Sequence, residues 1–389
     1  MGKRTVRIGI LRLVVLALVL ALLSGCTVAR NVISTVTQPK PTAETTLTSM
    51  GEINDEVEEA LRNGEKSVRL DVTQGEEQIA DMTRTLSPFW GAPTEYRIVK
   101  RFSDIELNGV AADVMRIDFT LTQSDNYYVY KAYTDKSYAI PPEQTRAAEL
   151  LAALPGILAE IDKLAEKHAG NATYVASLAV HDWLAKELTY DDSLDQLSYR
   201  NGIYGALIER RTMCLGYAEA MKLILLCKGE TSVSMVVGDA DTGGGQWISH
   251  VWNLVNVGGA WMHIDATFDD PKDNAPGEVS HIYFGQDDAF MRKDHRWEAA
   301  DYPAATQESY SYFKTNGLYI SEKKKLRKVL RSYIAKNKPA ELEIAVTGFT
   351  LRDSDLQFIY SIDDTLSQIY CSFVERGDTT IARLTLKYD

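Results

Sequence analysis

The sequence predicts an α+β protein. Three observations carry that expectation. Helical patterns crowd residues 142–188 and 214–227, and strand patterns take over after residue 230. With 45% hydrophobic and 25% charged residues over 389 positions, the composition is that of a folded soluble chain, neither disordered nor polytopic. The 25 Gly and 11 Pro follow no period, which argues against solenoids and propellers. The length suits two or three domains.

The first residues are read as targeting, not fold. Lys3, Arg4, Arg7 and Arg12 precede an apolar run over residues 13–23, too short to span a bilayer comfortably, and small residues follow it. The segment Leu23-Ser24-Gly25-Cys26 resembles the bacterial lipoprotein box. That resemblance implies a signal peptide over residues 1–25, lipidation of Cys26, and a mature chain tethered to the bacterial cell membrane on its extracytoplasmic side. An uncleaved anchor or simple secretion is the alternative. Cleavage removes four positive charges and no negative ones, taking the net charge from −12 to −16. So acidic a chain is a poor partner for nucleic acid, and its membrane contact must come from the lipid.

Residues 26–52, rich in Thr, Ser and Pro, read as a flexible linker. A small N-terminal α+β domain is expected over 53–141, from a helical stretch at 76–86, a strand alternating at Met115, Ile117, Phe119 and Leu121, and an aromatic run at 127–133. Helices are expected at 142–154, 156–168 and 171–188, the last capped by Asn171, and a loop at 189–202. A further helix, 214–227, has a stripe of Tyr217, Ala218, Met221 and Leu225 and stops at Gly229. Residues 142–312 form the central domain in this reading. A C-terminal α/β appendage, 313–389, holds a basic amphipathic helix at 321–335 and strands at 342–346, 369–374 and 381–388. The basic face of that helix reads as a solvated surface, with a membrane-facing patch as the sharper alternative.

Beyond Cys26, the cysteines Cys214, Cys227 and Cys371 are odd in number and form no CxxC pair, which argues against a disulfide framework and against zinc. Cys227 and Cys371 fall in apolar settings and read as packing. Cys214 stands at a predicted helix N-terminus, where orphan N–H groups and the helix dipole favour a thiolate.

Residues 250–267 read as a β-hairpin with a Gly258-Gly259 turn. If Val257 faces Ala260, then Trp252 faces Asp265 and His250 faces Thr267. Strand alternation then puts His250 and Asp265 on one face as diagonal neighbours, close enough for an imidazole and a carboxylate to meet. Taken alone, the hairpin favours His250 and Asp265 as mere surface polar groups. A nucleophile at Cys214 changes the weighing.

The run Cys214-Leu215-Gly216-Tyr217-Ala218, then His250-Val251-Trp252-Asn253, then Asp265-Ala266-Thr267-Phe268-Asp269 resembles the three blocks of the transglutaminase-like superfamily, in order. His181-Asp182-Trp183-Leu184, Thr189-Tyr190-Asp191, Tyr283-Phe284 and Asp294-His295-Arg296-Trp297 resemble further features of its bacterial extracytoplasmic branch. The resemblance implies a papain-like core, with a cysteine-bearing helix packed on an antiparallel sheet that carries the histidine and aspartate. It also implies a Cys214, His250, Asp265 triad acting on amide bonds of proteins or cell-wall peptides, with hydrolysis favoured over cross-linking. The alternative is a non-catalytic lipoprotein holding a peptide or glycan in the same groove. No cofactor and no metal is expected.

The Cys214 N–H is the natural first oxyanion donor. Tyr190 and Tyr204 are weak candidates for the second. His263 and His181 read as structural, while Trp252 and Trp261 could wall a groove or fill a core. The acidic loop 269–273 lacks EF-hand spacing.

Overall fold

The structure, a computed structural model, describes residues 39–85, 89–194, 198–270, 279–376 and 378–389. Residues 1–25, read as a signal peptide, Cys26, and residues 27–38 of the segment read as a linker lie outside the described residues. Among those described, no helix is long and apolar enough to cross a membrane.

Ordered structure begins before residue 53. Strand β1 (Thr46–Leu47) pairs in parallel with β2 (Ser67–Val72), and helix α1 (Met50–Arg62) starts at a capping box in which Ser49 and Glu52 satisfy each other's backbone N–H groups. The Thr- and Ser-rich composition that reads as linker therefore includes a helix cap. β3 (Gly91–Leu107) and β4 (Val110–Gln123) complete a sheet of order β1-β2-β4-β3, with α2 (Glu76–Thr85) between β2 and β3. The aromatic run that follows is helix α3 (Asp125–Thr134), capped by Ser124.

The two helices expected on either side of Pro155 are one, α4 (Thr145–Ala165). An interior proline sacrifices a hydrogen bond and costs about 3 kcal/mol. Here the buried stripe Ala147, Leu150, Leu154, Ile157 and Ile161 keeps helical spacing across the proline, and that continuous burial outweighs the local loss. α5 (Ala172–Glu187) begins where expected, with Asn171 Oδ1 accepting from the N–H groups of Thr173 and Tyr174. Within the stretch read as loop, Thr189–Tyr190 (β5) pairs in parallel with Arg211–Thr212 (β6).

α6 (Cys214–Cys227) has the expected bounds but more than one buried face: every residue from Gly216 to Leu226 is buried. It is the central helix of the molecule, so even its polar members are enclosed. Glu219 Oε2 accepts from the Ile203 N–H at 2.7 Å, and burial pushes its carboxyl up to about 8. Lys222 sits over the Phe89 ring.

The central sheet is antiparallel, of order β10-β9-β8-β7-β11, built from β7 (Val233–Asp241), β8 (Trp247–Val257), β9 (Ala260–Ile264), β10 (Phe284–Gln286) and β11 (His295–Arg296). The hairpin register is the one alternation predicts, with Val257 opposite Ala260 and Asn253 opposite Ile264. Gly258 and Gly259 have φ of 61° and 95°, a turn that glycine adopts without strain.

The two faces of β8 have different partners. Val255 and Val257 belong to the same core as the apolar residues of α4, α5 and α6, and Asn253 donates to the Ala218 carbonyl of α6. Trp252 and Leu254, on the other face, belong to a second core shared with the C-terminal sheet. That sheet has order β12-β13-β15-β14, from Tyr319–Ile320 (β12), Glu341–Thr347 (β13), Leu366–Arg376 (β14) and Thr379–Tyr388 (β15). α7 (Lys323–Asn337) buries Leu326, Leu330 and Ile334. Of its basic residues, Lys323 pairs with Asp355 at 2.8 Å, and Lys324 and Lys325 with Glu322.

Candidate active site

Cys214 is the first residue of α6, directly after Met213 in extended conformation. The first N–H groups of a helix have no intrahelical acceptor, so this position offers them to a ligand and suits negative charge. The close turn depends on Gly216: a Cβ there would stand 2.1 Å from Thr212 Oγ1. Glycine in the Cys-Leu-Gly-Tyr-Ala block is therefore a packing requirement of the strand-to-helix turn that presents the cysteine.

His250, on β8, and Asp265, one residue past β9, meet as the register requires. His250 Nε2–H donates to Asp265 Oδ2 at 2.7 Å, and both side chains are buried. The Cys214 side chain lies near enough to the same ring to favour its charged form, and with Nε2 committed to Asp265 the nitrogen left for the sulfur is Nδ1. The structure thus brings together all three residues singled out by sequence. Burial opposes a charged imidazole, but Asp265 and Cys214 outweigh it and push His250 up to about 10. Burial likewise opposes the Asp265 carboxylate, and His250 and His295 overcome it, holding the group well below the usual range. Asp265 Oδ1 also accepts the N–H groups of Thr267 and Phe268, so the carboxylate cannot rotate away from the imidazole.

One neighbour escaped the reading of the sequence. His295, on β11, donates from Nε2 to the same Asp265 Oδ2 at 3.0 Å and from Nδ1 to Asp294 Oδ1 at 2.7 Å. Asp294 in turn accepts from the Tyr283 hydroxyl. The signal available was the Asp-His-Arg-Trp block itself, whose role depends on a strand pairing, β11 with β7, that no local pattern announces.

A groove of about 590 Å³ opens on His250, with Tyr190, Ile248 and Phe268 as apolar wall and Asp192, Asp241 and Asp270 among its polar lining. Tyr190 stays at the site, and burial followed by the neighbouring Cys214 pushes its hydroxyl up to about 12. Tyr204 does not: its hydroxyl is engaged with Glu149. His263 is structural, accepting from Trp252 Nε1 and bonded to Asp288, and Trp252 is core. Trp261 packs at the edge of the second core. Cys227 and Cys371 are free thiols packed against the two cores, and burial pushes Cys227 up to about 12.

Among the described residues, two groups offer three metal-type ligand atoms within 4.8 Å of one another: His250, Asp265, His295, and His181, Asp182, His281. In each, a single carboxylate oxygen faces two ring nitrogens at 2.7–3.1 Å, a spacing that protons alone account for. Of the acidic loop, Asp269 is buried and accepts from His181 and from the Tyr283 N–H, while residues 271–273 lie outside the described residues.

A helix that presents a cysteine, packed on an antiparallel sheet that presents a hydrogen-bonded histidine and aspartate, defines an α+β core of the papain-like type. Residues 162–266 match the family model of the transglutaminase-like superfamily, and the stretch they cover is a transglutaminase-like core. Among solved structures, the chain is similar to a crystal structure of a TGase (12% identity, 53% of this chain and 52% of that chain, TM-score 0.26). It is also similar to a candidate cysteine protease from Cytophaga hutchinsonii (13% identity, 45% and 65%, TM-score 0.23) and a candidate protease from Parabacteroides distasonis ATCC 8503 (10% identity, 83% and 66%, TM-score 0.24). The chain spans less than two thirds of the length of each. No curated protein matches it.

Proposed function

We propose that this protein is a membrane-tethered cysteine enzyme that cleaves amide bonds of proteins or cell-wall peptides, with Cys214, His250 and Asp265 as its triad. The observation that carries the reading is His250 held between Asp265 and Cys214 at the mouth of a groove. The Cys214 sulfur attacks the carbonyl carbon. His250 Nδ1 donates its proton to the departing amine as the C–N bond breaks, leaving a thioester on Cys214 and a neutral ring. The ring then takes a proton from water, which attacks the thioester and releases the acid and the thiol. Asp265 holds the ring in the orientation both steps need. The Cys214 N–H is the first donor to the oxyanion, and the Tyr190 hydroxyl is the second we favour, since it lines the groove beside the sulfur. A primary amine in place of water would give cross-linking.

The test is mass spectrometry of a peptide library incubated with the protein, with and without a primary amine. Cleaved peptides and a Cys214 thioester are expected, both lost in Cys214→Ala. Amine adducts in place of acids would turn the reading to transfer, and no covalent species at all would favour the binding module. Tethering has its own test: incorporation of an alkyne fatty acid in a bacterial host, expected for the natural chain and lost in Cys26→Ala.

A further inference from the structure

We infer that His295 is a positioning residue of this site: gripping the oxygen of Asp265 that also receives His250, it fixes the carboxylate and limits how strongly that carboxylate holds the catalytic ring. The inference rests on the proposed triad and goes beyond it.

The geometry is specific. Asp265 Oδ2 accepts from His250 at 2.7 Å and from His295 at 3.0 Å, and the two rings lie 5.7 Å apart, centre to centre. Both nitrogens of His295 face carboxylates, Asp265 and Asp294, which only accept, so the ring carries both protons and a positive charge. His295 is buried and lies against Trp252, Phe268 and Tyr283, so neither ring nitrogen is spare for solvent. What sets it apart from the other doubly bonded histidines is that one of its partners is the oxygen that orients the catalytic base.

Two consequences follow. First, Asp265 is anchored at every oxygen: Oδ1 by the Thr267 and Phe268 N–H groups, Oδ2 by the two rings. His250 therefore inherits a fixed ring plane. Second, the His295 cation opposes a proton on His250 and competes for the same acceptor. Without it, His250 would cling to its proton, and a general acid that cannot release its proton to the leaving group is a poor one. The titratable groups facing the pair are Cys214 and Tyr190 on the sulfur side, Asp265 between the rings, and Asp294, Tyr283 and His263 around His295.

The test is a pH titration of His250 by 15N NMR of histidine-labelled protein, which carries only six histidines. In His295→Gln, which keeps an amide donor but no charge, the His250 titration is expected to move up by about two pH units, from unit charges near 6 Å in protein surroundings. The alkaline limb of peptide turnover should move with it while KM stays put. Asp294→Asn weakens the hold on the His295 proton and should give a smaller shift of the same sign in the NMR titration. An unchanged or lowered His250 titration in a folded His295→Gln protein overturns the inference, as does an unfolded His295→Gln protein paired with an unshifted Asp294→Asn. Failure of the triad is recognised separately. If Cys214→Ala leaves turnover intact, the cysteine reading falls, while the His250 shift still reports on His295.

Discussion

Two buried histidine–carboxylate clusters stand among the described residues, and only one of them reaches a cysteine. In the first, Asp265 receives His250 and His295, and His250 leads on to Cys214 and a groove. In the second, Asp182 Oδ1 receives His181 Nδ1 at 3.0 Å and His281 Nε2 at 3.1 Å. There the rings are taken up by further protein groups: His181 ends on Asp269, His281 on Glu343, Glu343 on Arg383, Tyr312 stacks on the His281 ring at 3.8 Å, and Asp182 Oδ2 reaches a third histidine, His168, at 3.5 Å. Both clusters raise a histidine to about 10, by the same contest of burial against carboxylate charge. A displaced pKa and a His–Asp bond therefore do not mark a reaction centre by themselves. What sets the first cluster apart is a sulfur near its ring and a groove that opens on it. The second cluster instead joins α5 and the loop before β10 to β13 and β15, clamping the C-terminal sheet to the core.

The comparison can be broken at several points. Cys214→Ala should lower turnover at least about 10³-fold with little loss of stability, and Asp265→Asn should lower it by about 10²–10⁴-fold. Equal loss from His281→Gln, in protein that stays folded, would erase the distinction between the clusters. His281→Gln should instead cost roughly 3 kcal/mol in urea denaturation, because it removes the buried cation between Glu343 and Asp182 and leaves each with one fewer partner.

The pH dependence of stability sharpens the point. His281 is raised in the folded state, so its contribution is complete below the unfolded pKa of about 6.5 and fades as pH climbs through about 10. His250 adds a decline in the same window. The urea midpoint should therefore fall between pH 7 and 10, less steeply in His281→Gln. The smallest effect concerns the groove. With Asp192, Asp241 and Asp270 in its lining beside apolar Ile248 and Phe268, peptides bearing lysine near the scissile bond should react a few-fold faster than glutamate counterparts. That ratio should collapse in high salt.

The site was largely legible in the sequence because its parts lie on elements with strong local signals. Gly-Gly fixes the hairpin register, alternation then puts His250 and Asp265 on one face, and a short apolar helix starts at Cys214. The fold was legible for the same reason in α5, α6 and the C-terminal strands. It was misread where a local rule lost to burial, as at Pro155, or where polar composition concealed a cap, as at Ser49. His295 stood out only as part of its Asp-His-Arg-Trp block; its bond to Asp265 could not be read, because that partner is 30 residues away and reached through a sheet edge.

By itself, then, the sequence determined which residues could do chemistry and which faces of β8 they share, since side-chain alternation and turn stereochemistry act over a few residues. Only the tertiary structure decided that one His–Asp cluster ends at a sulfur and a groove and the other at a clamp between the core and the C-terminal sheet. Access and charge partners depend on elements far apart in the chain, brought together by the burial of apolar faces that carry no address for each other.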